Sequence, residues 1–505
     1  MSLASPAAAT QLRKPLSALF EGFSRARQGR DVIPAGLSLD SRKVQTGDCF
    51  FALRGQHHQA SAFVPEALRR GAIAIALDES DEMPDAGIAA VQVPDLRRKL
   101  GLIASRFHAE PSLALRVTAV TGTNGKTTVA HLCTEACGLL GEKAAYIGTL
   151  GIGPLDALEA TGMTTPDPLT LQKGLAQLRD SGHGTVVLEA SSHALAQDRL
   201  AGTRVQTAVF TGLGHDHLDY HPDLAHYRAS KARLFRHPGL SWAVLNADDP
   251  ATATMVDVLA PEVRRVFFSR RAHAPALRNG DHLIALRHAD YSAHGSQLRI
   301  DVDGTELRVR SSLLGDFNAE NLLATLGVLL TQGYDPLALS ACLDQLHPVK
   351  GRLETFGTET TPRIVVDFAH SPDSLERVLL VLRGFAPRRL TCVFGCGGDR
   401  DRSKRPLMGA IAGRLADDII LTNDNPRSED PADIAAAIRS GIPATVSTAF
   451  IPDRAEAIDL ALSRAAAGDI VLVAGKGHES TQEVAGEHHP FSDQAHILAW
   501  LGSRA

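Results

Sequence analysis

LRVTAVTGTNGKTTVAHLCTEACGLLG, residues 115–141, decides the fold. VTAV reads as a buried strand, TGTNGKTT (121–128) as a tight loop, and the rest as a helix that stops at Gly141. Small residues let the backbone N–H groups of Gly122, Thr123, Asn124 and Gly125 close around phosphates. The helix N-terminus adds positive potential, Lys126 a point charge, and Thr127 a hydroxyl suited to Mg²⁺, with Thr128 beside it. The usual form of this loop has glycine five residues before Gly125, where this chain has Val120, so the loop is a shortened variant. It predicts binding of a nucleoside triphosphate but not the reaction, because many chemistries use such a loop.

Outward from it, the apolar runs GTVVLEASSH (184–193), TAVFTGLG (207–214) and SWAVLNADD (241–249) each end in small or acidic residues. They read as buried parallel strands with polar groups at their carboxyl ends. GDFNAENLLATLGVLLTQG (315–333) reads as a helix, and four more strand-to-loop units follow at 362–370, 389–398, 417–426 and 468–477. Such alternation predicts an α/β protein, and open sheets of this kind bind ligands beyond the carboxyl ends of their strands. Junctions near 109–114 and 346–353 divide the chain into expected domains at 1–112, 113–346 and 347–505. That agrees with about three domains for 505 residues.

A net charge of -5 gives no basis for nucleic-acid binding. The six cysteines are dispersed without a zinc-type pairing, as expected in a reducing cytoplasm. No apolar run is long enough to span a bilayer, and MSLASPAAATQLRKPL (1–16) has its positive charges after the small residues, unlike a secretory signal.

A series of motifs runs in order along the chain: LDSR (39–42), GTNGKTT (122–128), TTPDPL (164–169), LEASSHALAQDR (188–199), DHLDYH (216–221), SKARLF (230–235), FNAENLLA (317–324), GRLETF (351–356), VDFAHSPDSL (366–375), FGCGGDRDRSKRPLM (394–408), DNPR (424–427) and AGKGHE (474–479). In this order they resemble the Mur ligase family, the ATP-dependent amide-forming enzymes of peptidoglycan synthesis. The likeness is strongest to the members that add meso-diaminopimelate to the D-glutamate of UDP-MurNAc-L-Ala-D-Glu. It implies a cytoplasmic monomer with an N-terminal uridine-nucleotide domain, a central P-loop ATPase-like domain on a parallel sheet, and a Rossmann-like C-terminal domain. ATP phosphorylates a carboxylate, and the incoming amine attacks the acyl phosphate.

The resemblance also implies roles for individual residues. Glu189, whose plain reading is a strand-end salt bridge, serves Mg²⁺ with Thr127 and His217. Lys231, by spacing alone a solvated lysine, becomes a carbamylated metal ligand. GHDHLDYH (214–221) has the look of a zinc cluster, but the resemblance assigns His217 to a hard metal or phosphate. The stretch departs from the family at Gly212, Gly214 and His215, where asparagine, serine and arginine are more usual, and no side-chain contact is assigned to these three. Asn318, Arg352 and Asp367 match positions around ATP, although Asn318 also suits a helix start. Thr164, Thr165, Ser191, Gln197 and Arg199 match the grip on the UDP-linked dipeptide. Leu39 and Ser41 match the uracil pocket, where the plain reading is core packing, and Gln56, His57 and His58 lie near the same nucleotide.

In the last domain the implied amino-acid site comprises Arg400, Asp424, Asn425, Pro426, Arg427, Gly475 and Glu479. Diaminopimelate carries a carboxylate that lysine lacks, and a guanidinium at Arg427 suits it. Glu429 and Asp430 read as ordinary loop charges. A lysine-adding relative, a folylpolyglutamate-type ligase and a switch-type ATPase are the competing readings.

Overall fold

The computed structural model describes residues 14–53, 60–83, 87–214, 216, 220–271, 276–358 and 360–503. Gln56, His57, His58, His215, His217 and Asp219 lie outside the described residues.

Three sheets follow one another along the chain. The first has five strands in the order Ala26–Gln28, Ala89–Val93, Ala74–Asp78, Cys49–Ala52, Leu37–Ser38. All its pairings are parallel except that of Ala26–Gln28. Its small and aromatic residues are buried on both faces, with Phe51, Ala76 and Val91 in one core and Phe50, Ile75 and Leu77 in another.

The second sheet has ten strands. The phosphate-loop strand Arg116–Thr121 lies between Thr185–Glu189 and Thr207–Phe210, parallel to both. Ala144–Gly148, Trp242–Asn246 and Arg264–Ser269 continue the parallel run outward. The helices Lys126–Leu139 and Asp316–Thr331 cover one face through Val129, Leu132, Leu322 and Leu326. Pro168–Asp180 covers the other through Leu171 and Leu175. Asp167 starts that helix by accepting from Leu169 N and Thr170 N.

The sheet is not purely parallel. His282–Ser292 joins Arg264–Ser269 in parallel, then Gly295–Val302 and Thr305–Ser311 fold back antiparallel. Residues 295–311 alternate buried with exposed along much of each strand, and Asp303–Gly304 turns with both φ values positive, as a tight hairpin requires. This extension covers one face only, so its strands lack the continuous apolar runs that mark the parallel ones.

The third sheet runs Glu354–Phe356, Arg363–Asp367, Ile470–Ala474, Leu390–Phe394, Asp418–Leu421, Ser447–Phe450, parallel except for its first strand. A separate hairpin pairs Thr481–Val484 with Glu487–Pro490. Among the described residues no helix is long and apolar enough to cross a membrane.

Candidate active site

The polar residues gather at the carboxyl end of the central sheet. Gly125 caps the helix Lys126–Leu139 at φ +84, a conformation that favours glycine, and a Cβ there would sit 2.6 Å from Asn321 Oδ1. Lys126 Nζ donates to the carbonyls of Gly122 (2.9 Å) and Thr123 (2.8 Å). Lys231 Nζ reaches the same Gly122 carbonyl at 2.6 Å.

Two lysines on one carbonyl is an unfavourable arrangement for two cations. Burial lowers the pKa of Lys126, with Glu189 and Asp216 acting against that shift. Lys231 is pushed well below its ordinary range by burial and then by the charge of Lys126. It is 1% exposed, on the helix Leu224–Ala232, with its amine 4.3 Å from the Tyr227 ring centre. The solvated-lysine reading is therefore excluded by nonlocal packing.

Glu189 is fully buried at the end of Thr185–Glu189. It accepts from Thr127 Oγ1 (2.9 Å), Thr149 N (2.9 Å) and the Tyr146 hydroxyl. Among the described residues its side-chain donors are all neutral, unlike a strand-end salt bridge. A buried carboxylate held only by neutral donors beside a threonine hydroxyl is a set of hard oxygen donors, which suits Mg²⁺. Neither soft ligands nor a His/Cys/Asp/Glu cluster accompany it among the described residues.

The dipeptide-matched residues form one network with this carboxylate. Thr165 Oγ1 donates to Glu189 O (2.7 Å), Ser191 N donates to Thr165 Oγ1 (3.1 Å), and Thr149 Oγ1 donates to Thr164 Oγ1 (3.1 Å). Arg199 Nη1 donates to Thr165 O (2.7 Å), and its Nε and Nη2 both donate to Gln197 Oε1. The uracil-matched pair lies apart: Ser41 is buried and donates to Glu66 Oε2 at 2.6 Å, and Leu39 packs against the first sheet's core.

Asn318, Arg352 and Asp367 border a cavity of about 270 Å³ that reaches the phosphate loop. Asn318 Nδ2 donates to Leu314 O (2.8 Å), and its Oδ1 accepts from Asn321 (2.9 Å). Arg352 Nη2 donates to Thr127 Oγ1 at 3.3 Å, across from the third sheet. Burial raises the pKa of Asp367, and Arg352 acts to lower it.

Sequence reading missed Asn246, Asp248, Asp249, Phe317 and Arg377, which line the same cavity. The signal was present for the first three, polar residues at the carboxyl end of a parallel strand. Asn246 Nδ2 donates to Thr211 O (2.9 Å), and Asp249 Oδ2 accepts from Leu213 N (2.6 Å). The segment they fix touches the loop by its backbone: Thr123 N donates to Gly212 O, and Gly214 N to Thr123 Oγ1, each at 2.8 Å. The glycines at 212 and 214 therefore cost no loop contact here.

In the third sheet, Gly475 N donates to Asp367 O at 3.0 Å, which puts the amino-acid-matched residues beside the nucleotide-matched ones. Gly475 has φ +114, and a Cβ there would lie 2.7 Å from Asp424 Oδ2. Burial raises the pKa of Asp424. Burial also opposes ionisation of Glu479, but Lys476 and Asn425 outweigh it and hold its carboxyl below the ordinary value. Lys476 Nζ and Asn425 Nδ2 donate to Glu479 Oε2 at 2.8 and 2.9 Å.

Arg427 and Arg400 converge at Gly397, where a Cβ would lie 3.0 Å from Arg427 Nη1 and 3.6 Å from Arg400 Cγ. Pro426 is buried, its carbonyl close to Gly398.

The two flanking acids are more than loop charges. Glu429 accepts from Arg405 Nη1 and Nη2 (3.0 and 2.9 Å) and from Asp399 N, contacts that bring its pKa down to about 2. Asp430 caps the helix Pro431–Arg439. Also unforeseen is fully buried Arg454, which donates to both Asp493 oxygens (2.8 Å each) and to the carbonyls of Ala474 (3.1 Å) and Asn423 (3.3 Å). It ties together the two loops that carry Asp424 and Gly475.

Comparison with known proteins matches three family models: the Mur ligase family catalytic domain at 35–108, the Mur ligase middle domain at 120–329 and the Mur ligase glutamate ligase domain at 351–477. UDP-N-acetylmuramoyl-L-alanyl-D-glutamate–2,6-diaminopimelate ligase of Ectopseudomonas mendocina is 44% identical over 94% of this chain and 97% of its own length. The protein of the same name from Xanthomonas campestris pv. campestris is 46% identical over 92% of this chain and 93% of its own. A solved structure under that name superposes with TM-score 0.69 and 37% identity, covering 98% of this chain and 99% of that one. MurF ligase from Thermotoga maritima, solved with ADP, shares the fold at TM-score 0.62 and 19% identity, covering 93% and 98%.

Proposed function

The chain belongs to the Mur ligase family, and on that premise we propose that it is the ATP-dependent ligase that joins meso-diaminopimelate to the D-glutamate of UDP-MurNAc-L-Ala-D-Glu. A free carboxylate is a poor acylating agent because its oxygen leaves badly. Transfer of the ATP γ-phosphoryl group to it gives an acyl phosphate, the diaminopimelate amine adds to that carbonyl, and inorganic phosphate leaves the tetrahedral intermediate. The product is an amide in a cytoplasmic step of peptidoglycan synthesis.

The chain's own groups divide this work. The loop Gly122–Thr128 and Lys126 bind the phosphates, and Arg352, already at Thr127, adds positive charge as the γ-phosphoryl group moves. Thr164, Thr165, Ser191, Gln197 and Arg199 hold the dipeptide so that its carboxylate approaches in line. Thr127, Glu189, Lys231 as its carbamate and His217 would hold Mg²⁺, which supplies charge neutralisation between two anions that must meet. Carbon dioxide adds to a neutral amine, and a lysine 1% exposed beside a second lysine is held toward that form. Arg427 and Arg400 receive the carboxylates of diaminopimelate, and Asp424 and Glu479 its far amino group.

The observation that carries the reading is the meeting of phosphate loop, buried Glu189 and buried Lys231 in one cavity with Arg352, just before the third sheet, and Asp367, at the end of one of its strands. The test is phosphate release from ATP. It should require both UDP-MurNAc-L-Ala-D-Glu and meso-diaminopimelate, with lysine a poor substitute. Hydrolysis independent of either substrate refutes the ligase.

A further inference from the structure

We propose that Glu483, on the hairpin after the last strand of the third sheet, is a positioning residue that aims Arg427 at the diaminopimelate carboxylate. The proposal rests on the reading of Arg427 given above. Arg427 has φ +52, a left-handed conformation rarely taken by a residue with a side chain. Such a conformation persists only where its surroundings fix it.

Those surroundings are the hairpin strand Thr481–Val484. Gln482 Nε2 donates to Asp424 O (2.8 Å), and Glu483 N donates to Asn425 Oδ1 (2.9 Å). Arg427 N donates to Glu483 O (3.2 Å), and Ala485 N to Arg427 O (2.8 Å). Arg427 and Val484 form a single parallel bridge, which ties the loop to the hairpin at that point.

The side chain is held as firmly as the backbone. Arg427 Nε donates to Glu483 Oε2 at 3.0 Å, and Nη1 donates to Gly398 O at 2.8 Å. Among the described residues Nη2 has no hydrogen bond. Two of the three nitrogens are thus fixed by the protein, and the third keeps its donors for a ligand. Both side chains are partly shielded, at 23% and 28% exposure, so the pair is not a freely solvated surface contact. Glu483 also offsets the charge of Arg427. Recognition then depends on where the guanidinium points, and an unaimed Arg427 would bind the carboxylate less well.

The test is steady-state kinetics of the full chain. Glu483→Ala should raise KM for meso-diaminopimelate about tenfold, with kcat within about twofold and KM for ATP and UDP-MurNAc-L-Ala-D-Glu unchanged. Glu483→Gln keeps an acceptor for Nε and should recover most of the loss. In an Arg427→Ala background, Glu483→Ala should add nothing. An unchanged or lower KM for diaminopimelate in Glu483→Ala, beside a large effect of Arg427→Ala, overturns the positioning role and leaves the reading of Arg427 intact. An Arg427→Ala variant with wild-type KM overturns both.

Discussion

Truncating Arg427 to alanine tests the choice of amino acid directly. Its guanidinium is 23% exposed, and Nη2 is the nitrogen left for a ligand. Hydrogen bonds to charged groups contribute about 1.5–3 kcal/mol each, and a shielded carboxylate left unpaired adds a desolvation cost of similar order. One such bond lost, with part of that cost, corresponds to about 2–4 kcal/mol, or roughly 30- to 1000-fold in kcat/KM for diaminopimelate. Lysine has no carboxylate at that end, so its much smaller kcat/KM should not fall with it. The ratio of the two efficiencies, measured by coupled phosphate release, should therefore collapse by the same factor. Arg427→Lys keeps the charge but loses the fork and should fall between. If Arg427→Ala retains diaminopimelate efficiency within about threefold of wild type, Arg427 does not read the carboxylate.

Other consequences can be measured separately. Lys231→Met should abolish ligation by at least about a hundredfold, and the carbamate carbon signal that ¹³C-labelled bicarbonate is expected to give in the wild type should be absent from it. Arg454→Met leaves Asp493 buried and uncompensated and should cost about 3–5 kcal/mol in denaturant unfolding; a loss below about 1 kcal/mol would contradict the pairing. Burial, helped by Arg179 and Lys173, takes the pKa of His108 down from 6.5 to about 4. The unfolded chain then binds more protons between those values, so stability should fall as pH drops from about 6.5 to about 4. His108→Gln should flatten that slope in urea midpoints taken across the range.

What the sequence made legible follows from how local each signal is. The phosphate loop and the parallel strands are contiguous, and a strand buried on both faces announces itself as an apolar run. The antiparallel extension at 282–311 is buried on one face, so its evidence is alternation and an Asp-Gly turn, both weaker. Asp430 before Pro431 is a helix-start signal readable in principle. Lys231 is different: Tyr227 lies in YRASKARLF itself, but the contact that buries the amine at the phosphate loop is with Gly122, 109 residues away. The partner of Arg427 is likewise 56 residues distant, and that of Arg454 39.

The electrostatics of the Gly122 carbonyl explain why such a lysine belongs there. As ammonium groups, Lys126 and Lys231 would repel each other at a shared acceptor, in a place where burial already opposes charge. Losing the proton from Lys231 removes the repulsion but leaves a buried amine with little to do. The proposed carbamylation would reverse the sign: an anionic carbamate beside Lys126 would be attracted where the ammonium was repelled. It would also add hard oxygen to a site where Glu189 offers a fully buried carboxylate. A permanent glutamate at position 231 would be charged before any ligand arrives. A lysine gains a negative charge only by adding carbon dioxide, and that addition starts from the neutral amine that this burial favours.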